Sequence, residues 1–150
     1  MLIATWNVNS IRTRLSQIID WINQVNPDIL CLQETKVMDD NFPVEPFEKL
    51  GYSLEFYGQK SYNGVAIISK IKPENVKKGF NGCTDSNQNS EIFLDQKRLI
   101  SADINGIKII NVYVPNGSSL ESSKFAYKIN WLNCLSSFLD EQEKKGELIC

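Results

Sequence analysis

The hydrophobic period changes twice within the first 34 residues, and this change constrains the fold more than any other feature of the chain. Leu2–Val8 is an apolar run typical of a strand, and Asp28–Gln33 is a second run that predicts a buried strand. Between them, the apolar residues of Ile11–Val25 recur at helical spacing, which predicts an amphipathic helix that Asn26-Pro27 ends. The order strand, helix, strand favours an α/β fold.

The rest of the chain predicts mostly strands, followed by one long helix. Tyr52–Tyr57 and Gly64–Ser69 are two predicted strands that flank a polar turn. Asn105-Gly106, between the predicted strands Arg98–Ile104 and Ile107–Val114, is a strong two-residue hairpin signal. The remaining predictions are a loop with a short helix over Asp39–Leu50, an irregular surface segment over Lys72–Asn89, a helix over Ser123–Lys145 with Phe125, Ile129, Leu132, Leu135 and Leu139 on one face, and a strand from Glu147 to Cys150.

The composition excludes several classes of chemistry. The chain has no histidine, which excludes Ser-His and Cys-His nucleophilic sites and zinc sites of the HExxH kind. Its formal net charge of −2 excludes a globally basic coat for nucleic acid, so a phosphate ligand would have to bind at a local site. The four cysteines, Cys31, Cys83, Cys134 and Cys150, are far apart. We expect structural cysteines without a disulfide framework, with Cys31 and Cys134 as small buried apolar side chains.

Signals for membranes and secretion are missing from the sequence as well. No stretch reaches the roughly 18 apolar residues of a membrane span, and Met1–Ser10 lacks the basic start and long apolar run of a secretory leader. We therefore expect a cytoplasmic protein that does not act at membranes.

Polar residues interrupt the apolar pattern at the ends of four predicted strands. These positions fall in the segments Thr5–Ser10, Leu32–Lys36, Tyr62–Ala66 and Asn111–Gly117. Ligands of α/β sheets bind beyond strand ends, so we expect the four segments to share one rim of the fold.

The first two segments contain candidate metal ligands. Glu34 and Asn7 offer carboxylate and amide oxygens, which suit Mg²⁺ better than zinc. Tyr113 in the fourth segment could donate a hydrogen bond to a phosphate oxygen. Each residue also has a simpler interpretation, because strand ends are often solvated, asparagine forms turns, and tyrosine is common in strands. The same alternative applies to Lys36, Tyr62 and Asn63.

Taken together, the motifs Trp-Asn-Val-Asn-Ser-Ile-Arg, Leu-Gln-Glu-Thr-Lys, Tyr-Asn-Gly-Val-Ala-Ile and Asn-Val-Tyr-Val-Pro-Asn-Gly resemble those of the exonuclease III family, in the same order and at similar spacing. This is the bacterial apurinic/apyrimidinic endonuclease branch of the endonuclease/exonuclease/phosphatase superfamily. The resemblance implies a four-layer α/β sandwich of two packed, mostly antiparallel mixed sheets with flanking helices. It also implies a Mg²⁺-dependent DNA-repair phosphodiesterase, a hydrolase that cuts duplex DNA 5′ to abasic sites and removes nucleotides from 3′ ends.

The resemblance also implies roles for individual residues. Glu34 matches a metal-binding glutamate with Asn7 beside it, for Mg²⁺ or for Mn²⁺ as a substitute. Tyr113 matches a catalytic tyrosine that contacts the scissile phosphate, whereas Asn9 stands where some relatives have an aspartate near a second metal. The positions that resemble DNA-contacting residues are Lys36, Tyr62, Asn63, Arg98 and Asn116.

Some motifs of the family are missing from residues 1–150. The sequence has neither the Gly-Asp-x-Asn motif that acts on the attacking water nor the later Ser-Asp-His. We therefore expect one domain over 1–150, truncated before its C-terminal half, with the activity in the full-length parent. An uncovered sheet face would then favour self-association. The alternatives are an inactive fragment or split subunit that binds metal or DNA, and a related phosphoesterase that acts on RNA or phosphoinositides.

Overall fold

Two sheets packed face to face form the centre of the fold. The computed structural model describes residues 1–80, 96–143 and 148–150. In this part of the chain, the first sheet has the strand order β1-β2-β4-β3 and the second has β5-β6-β7-β8. The strands are β1 (Ile3–Asn7), β2 (Ile29–Gln33), β3 (Ser53–Tyr57), β4 (Val65–Ser69), β5 (Glu74–Lys78), β6 (Leu99–Ile104), β7 (Ile107–Val112) and β8 (Leu148–Ile149). The helices are α1 (Ile11–Val25), α2 (Glu45–Glu48) and α3 (Ser123–Glu143), with a short 3-10 turn at Asp39–Asn41.

The strand–helix–strand unit at the start of the chain is confirmed. β1 and β2 are parallel neighbours, and α1 connects them. Asn26 adopts the left-handed conformation, with a φ of 51°, and its N–H bonds to the carbonyl of Ile22. That cap, followed by a proline, ends the helix where the sequence predicted.

Three apolar clusters separate four layers. One cluster lies between the first sheet and helices α1 and α2, and includes Ile18, Leu30 and Phe47. A second lies between the two sheets, and includes Ile67 and Ile100. The third lies between the second sheet and α3. The order helix, sheet, sheet, helix confirms the predicted four-layer α/β sandwich.

Within the described residues, both sheets are covered on both faces, so the expectation of an uncovered sheet face is wrong for this part of the chain. A largely apolar groove of about 410 Å³ lies between β1 of the first sheet and β7 of the second. Its apolar lining includes Ile3, Ile109, Ile110 and Val112.

The segment Lys72–Asn89, predicted to be irregular, contains a strand. β5 pairs with β6 antiparallel, with a register irregularity between Glu74 and Lys77. The sequence Glu-Asn-Val-Lys-Lys has one apolar residue because β5 is an edge strand that is largely solvated, and such strands lack the apolar signal used to predict them. Residues 81–89 of the predicted segment lie outside the described residues.

The predicted face of helix α3 is confirmed only in part: Leu132, Leu135 and Leu139 pack against the third cluster but do not form the centre of the buried face. The structure buries Trp131, Cys134, Phe138 and Gln142 against the second sheet, whereas the side chain of Ile129 is 40% exposed. Apolar residues lie on several sides of this helix, so periodicity alone could not select the face that meets Phe80. The predicted end at Lys145 and the start of the last strand at Glu147 lie outside the described residues.

The prediction for the cysteines is correct only in part. Cys31 is a free, buried thiol, and Cys150 is free and exposed. Cys134 is buried as predicted but is disulfide-bonded, so its interpretation as only a small apolar side chain is wrong. Burial raises the pKa of Cys31 to about 12, which agrees with an inert structural thiol.

Helices α1 and α3 are the long helices of the described residues. Neither they nor α2 combines the length and the apolar character that a helix needs to cross a membrane.

Candidate functional site

The ends of five strands meet at one edge of the sandwich, which we call the rim. β1, β2 and β7 end there, and β4 and β6 begin there. Backbone hydrogen bonds join these ends: Val8 N–H to Gln33 O (3.0 Å), Thr35 N–H to Gly64 O (3.2 Å), Gly64 N–H to Lys97 O (2.9 Å) and Tyr113 N–H to Arg98 O (2.8 Å). The prediction that the four polar segments share one rim is therefore confirmed.

Side-chain alternation explains why the rim is polar. Successive residues of a strand point to opposite faces, so every second residue faces the neighbouring sheet. On three strands, the residues of this inward series change from apolar to polar toward the rim. The series are Ile3, Thr5 and Asn7 on β1; Ile29, Cys31 and Gln33 on β2; and Ile107, Ile109, Asn111 and Tyr113 along and just beyond β7.

The loops of the rim are backbone-strained. Left-handed φ angles occur at Asn9 (43°), Ser10 (92°), Glu34 (55°), Lys36 (53°) and Asn63 (48°). Such conformations cost free energy for residues other than glycine, and they concentrate at functional sites. The left-handed conformation of Glu34 turns the backbone away from the direction of β2, which ends at Gln33.

Gly64 supports this conformation from the opposite loop. Its φ is 92°, and a Cβ atom placed there would lie 2.1 Å from Thr35 Oγ1. Thr35 is buried between Glu34 and Lys36 in the sequence. The absence of a side chain at position 64 therefore lets the loop that carries Glu34 pack closely against the start of β4.

Glu34 lies among polar partners. Asn7 Nδ2 donates a hydrogen bond to Glu34 Oε1 (2.8 Å), and Lys36 Nζ forms an ion pair with Oε2 (2.9 Å). Lys36 Nζ also donates to the side-chain oxygen of Asn9. Burial alone would raise the pKa of Glu34, but the hydrogen bonds from Asn7, Lys36 and Tyr113 outweigh it and lower the pKa. Glu34 is therefore an ionised carboxylate at neutral pH.

Tyr113 faces Glu34 from the second sheet. Its hydroxyl interacts with the Glu34 carboxylate, and the guanidinium carbon of Arg98 lies 4.6 Å from its ring centre. Arg98 Nη1 also donates to the backbone carbonyl of Tyr113 (3.2 Å). Burial raises the pKa of Tyr113, and Glu34 raises it further against the opposing effect of Arg98. The phenol is therefore a neutral hydrogen-bond donor at physiological pH.

A pocket of about 350 Å³ adjoins Tyr113 and contains two further predicted residues, Arg98 and Asn116. The side-chain oxygen of Asn116 accepts a hydrogen bond from the N–H of Ser118 (3.0 Å). The same pocket is also lined by Lys124 and Tyr127 of α3, two residues that the sequence did not predict. Their spacing of three residues near the start of a helix was the available signal.

The remaining predicted residues lie in the connection between β3 and β4. Tyr62 is 70% exposed, whereas Asn63 is buried and its Nδ2 donates to Gln59 Oε1 (2.8 Å). The backbone carbonyl of Asn63 accepts from the N–H of Lys36 (3.0 Å), so this connection lies beside the Glu34 loop. The structure thus brings the predicted residues to one rim, although the side chain of Asn63 is engaged within its own loop.

The donor set at the rim suits a hard divalent cation. The available ligand atoms are oxygens: the Glu34 carboxylate and the amide oxygens of Asn7 and Asn9. The described residues contain no cluster of three or more His, Cys, Asp or Glu side chains, as a zinc centre would need. One carboxylate with other oxygen donors is a usual protein contribution to a Mg²⁺ site.

Comparisons with known proteins agree with this geometry. Residues 4–105 match the model of the endonuclease/exonuclease/phosphatase family. Exodeoxyribonuclease III of Haemophilus influenzae is 35% identical over 99% of this chain and 55% of its own length. The solved 3′-5′ exonuclease of Neisseria meningitidis is 40% identical with a TM-score of 0.86, and covers 96% of this chain and 53% of its own. An AP endonuclease of Archaeoglobus fulgidus is 47% identical with a TM-score of 0.82, over 94% and 52% of the two chains. The chain therefore spans about half the length of these relatives.

Proposed function

We propose that this chain, which belongs to the endonuclease/exonuclease/phosphatase family, carries the metal-binding and phosphate-contacting part of a DNA-repair phosphodiesterase. The enzyme would cut duplex DNA 5′ to abasic sites and remove nucleotides from 3′ ends. We place the activity in the full reading frame that contains residues 1–150, because the sequence has neither a histidine nor the Gly-Asp-x-Asn motif. Residues 1–150 would form one domain region of that enzyme.

The observation that carries the proposal is the meeting of Glu34 and Tyr113 across the two sheets. Glu34 is held ionised by Asn7 and Lys36, while Tyr113 is held protonated. A phosphodiester that is cleaved needs both a cation on its non-bridging oxygens and a neutral hydrogen-bond donor. The rim offers a ligand for the first and the donor for the second.

The metal-binding role is assigned to Glu34, with Asn7 and Asn9 as further oxygen donors. Mg²⁺, or Mn²⁺ in its place, would supply charge neutralisation at the phosphate when bound. Lys36 forms its ion pair with Glu34 through a side chain that is 28% exposed, so it can turn aside when a cation binds. In that position it remains beside the phosphate as a DNA-contacting cation.

The phosphate-contacting role is assigned to Tyr113. Its hydroxyl would donate to a non-bridging oxygen, and Arg98 would hold the ring by stacking on it and by bonding to its backbone carbonyl. Arg98, Asn116, Tyr62, Asn63 and Lys36 are the proposed DNA-contacting residues. All lie in or beside the rim loops, which gives a local basic and amide surface on a chain of net charge −2.

Incision of a duplex that carries one abasic-site analogue tests the proposal. We expect the protein expressed from its full reading frame to cut 5′ to the lesion only when Mg²⁺ or Mn²⁺ is present. Glu34→Gln should lower the rate by about 10³-fold or more, and Tyr113→Phe by about 10²-fold, because each removes a group that acts on the phosphate.

Glu45→Gln is the matched control for Glu34→Gln. It makes the same chemical change at an exposed carboxylate of α2 that pairs only locally, with Lys49. We expect it to cut at the wild-type rate. Equal loss in both variants, or hydrolysis of RNA or inositol phosphates but not of abasic DNA, would contradict the proposal. Metal and DNA binding without cleavage by the full reading frame would favour the binding-module alternative.

We also propose that residues 1–150, produced alone, self-associate through the groove between β1 and β7. The groove is largely apolar and borders β1, an edge strand of the first sheet, and exposed edges favour pairing with another chain. Sedimentation over a concentration series should give a reversible dimer. A monomer at every concentration would contradict this part of the proposal.

A further inference from the structure

Beneath the rim, an amide side chain joins the two sheets. Asn111 lies on β7 and is 3% exposed. Its Nδ2 donates to the backbone carbonyl of Leu32 (2.9 Å) and to that of Ala66 (2.8 Å), on β2 and β4 of the first sheet. Its Oδ1 accepts from Gln33 Nε2 (2.7 Å). The side chain therefore makes three hydrogen bonds, all of them across the gap between the sheets.

Gln33 extends this network along the first sheet. Its Nε2 also donates to Thr5 Oγ1 (2.9 Å), which lies two residues before Asn7 on β1. One connected set of side-chain hydrogen bonds thus joins β1, β2 and β4 to β7. It lies directly below Asn7, Glu34 and Tyr113.

This polar network differs from the rest of the layer between the two sheets. Apart from this network, the gap between the sheets is filled by apolar side chains such as Ile67 and Ile100. Apolar packing is non-directional and tolerates small shifts of one sheet on the other, whereas hydrogen bonds fix distance and angle. The buried amide of Asn111, which makes three hydrogen bonds, therefore fixes the position of one sheet relative to the other, which we call the offset.

That offset determines how the two halves of the site meet. Asn7 and Glu34 are carried by the first sheet, whereas Tyr113 and Arg98 are carried by the second. Asn111 is two residues before Tyr113, and its partner Gln33 is the residue before Glu34. The contact between Glu34 and Tyr113 depends on the same gap that Asn111 spans.

We propose that Asn111 is a positioning residue, which fixes the Tyr113 hydroxyl against the Glu34 carboxylate by bonding the second sheet to Leu32, Gln33 and Ala66 of the first. This inference rests on the proposed function for its effect on catalysis. Its structural part, that the amide sets one side chain against the other, does not depend on the reaction.

A double-mutant cycle on the protein expressed from its full reading frame tests the catalytic part. Asn111→Leu keeps a similar volume and removes the hydrogen bonds. We expect it to lower kcat by about 10- to 100-fold, because displacement of a catalytic group by about 1 Å has effects of that size. In a Tyr113→Phe background, the same substitution should lower kcat by no more than about twofold, since the positioned hydroxyl is already absent. KM for the duplex should stay within about threefold in both backgrounds.

Ile104→Ala is the matched control. Ile104 is fully buried in the same layer but at the opposite end of β6. It should destabilise the fold by an amount comparable to Asn111→Leu and leave kcat per folded molecule unchanged. Equal losses of kcat from Asn111→Leu in the two backgrounds, or an equal loss from Ile104→Ala, would overturn the inference. If Asn111→Leu does not fold, Asn111→Ser, which loses reach but keeps one donor, replaces it in the cycle with the same expectation.

A spectroscopic readout separates failure of this inference from failure of the proposed function. In protein with ¹³C-labelled tyrosine rings, Glu34→Gln should shift the Tyr113 signal in the wild-type background and leave it nearly unmoved in the Asn111→Leu background. A wild-type protein without nuclease activity that gives this result would refute the proposed function and support the positioning role. An equal shift in both backgrounds would refute the positioning role, whatever the activity.

Discussion

The two ends of the sandwich both contain a lysine–carboxylate pair, but the pairs are held in different ways. At the rim, Lys36 and Glu34 lie on left-handed loop residues, and the Lys36 side chain is 28% exposed. At the opposite end, which we call the base, Lys108 pairs with Asp103 (2.5 Å) from the adjacent strand, and the Lys108 side chain is 3% exposed. Asp103 and Lys108 are also directly opposite in the register of β6 and β7.

This difference between the two lysine–carboxylate pairs indicates different roles for the rim and the base. The base pair is part of a regular ladder, and Asn75 Nδ2 bonds the second oxygen of Asp103 (2.8 Å), so the carboxylate is held by fixed partners. At the rim, the partner of Glu34 can move into solvent. The base pair, whose lysine is buried, therefore stabilises the fold, whereas we propose that at the rim a cation replaces Lys36 beside Glu34.

The largest expected effect concerns two glycines, one at each end, that both have positive φ. Gly64 at the rim would place a Cβ 2.1 Å from Thr35 Oγ1, whereas Gly106 in the base hairpin has nothing within 4 Å. We expect Gly64→Ala to lower the free energy of unfolding by about 3 kcal/mol, from strain and overpacking together. Gly106→Ala should cost about 1 kcal/mol, from the conformation alone. Urea unfolding of both variants measures the difference.

The same pair of variants tests whether the Glu34 loop depends on close packing. Gly64→Ala should also weaken divalent-cation binding, because Thr35 lies between Glu34 and Lys36. Gly106→Ala should not. Equal destabilisation by the two substitutions would show that the close approach at Gly64 is unimportant.

The two lysines give the next largest effect. Lys108→Met should lower the free energy of unfolding by about 2–3 kcal/mol, because it leaves the partly buried carboxylate of Asp103 without its cation. Lys36→Met should change it by less than about 1 kcal/mol, since the Lys36 side chain is 28% exposed and an ion pair whose lysine is in reach of solvent contributes little. Thermal or urea unfolding at pH 7 compares them. A larger loss from Lys36→Met would refute the distinction between a fixed and a displaceable pair.

The smallest effect is on the pH dependence of stability. Burial raises the pKa of Asp103, but Lys108 and Asn75 outweigh it, so the pKa is lowered, as it is for Glu34. A carboxyl group whose pKa is lowered by folding stabilises the fold above its unfolded pKa and loses this contribution as the pH falls through the folded value. The free energy of unfolding should therefore fall less in Glu34→Gln and in Asp103→Asn than in the wild type between pH 6 and pH 3. For Glu34→Gln, we expect the difference from the wild type to be about 0.5 kcal/mol or less.

Salt distinguishes the two ends in this experiment. High ionic strength screens exposed charges more than buried ones. In 0.5 M NaCl, as a rough working concentration, the contribution of Glu34 should shrink more than that of Asp103, because the Lys36 side chain is 28% exposed whereas the Lys108 side chain is 3% exposed. If both contributions shrink equally, burial of Lys108 does not shield the base pair from salt.

The parts of the fold that sequence predicted are those with strong local signals. The change of hydrophobic period predicted β1, α1 and β2, and Asn105-Gly106 predicted the hairpin because both residues adopt the positive φ that this turn requires. Local signals failed for β5, whose single apolar residue, Val76, gives no pattern, and succeeded only in part for α3, whose most buried residues are selected by packing on the second sheet. The disulfide bond of Cys134 depends on long-range proximity, which spacing does not encode.

The candidate site was predictable to a similar degree. Four polar segments at strand ends predicted the rim, and the family resemblance predicted roles for Glu34, Asn7 and Tyr113, which remain to be tested. The network around Asn111 was not predicted, although a polar residue in the inward series after Ile107 and Ile109 was a visible signal. Its partners lie 45 to 79 positions earlier in the chain, and only the packed sheets bring them together.

Binding of Mn²⁺, measured by electron paramagnetic resonance on the 150-residue chain, tests the central claim most directly, because it needs no nuclease activity. The claim is that the rim carboxylate accepts a cation and the base carboxylate does not. We predict one Mn²⁺ site in the wild type, lost in Glu34→Gln and retained with unchanged affinity in Asp103→Asn. A site that survives Glu34→Gln, or one that disappears in Asp103→Asn while the fold is intact, would contradict the account.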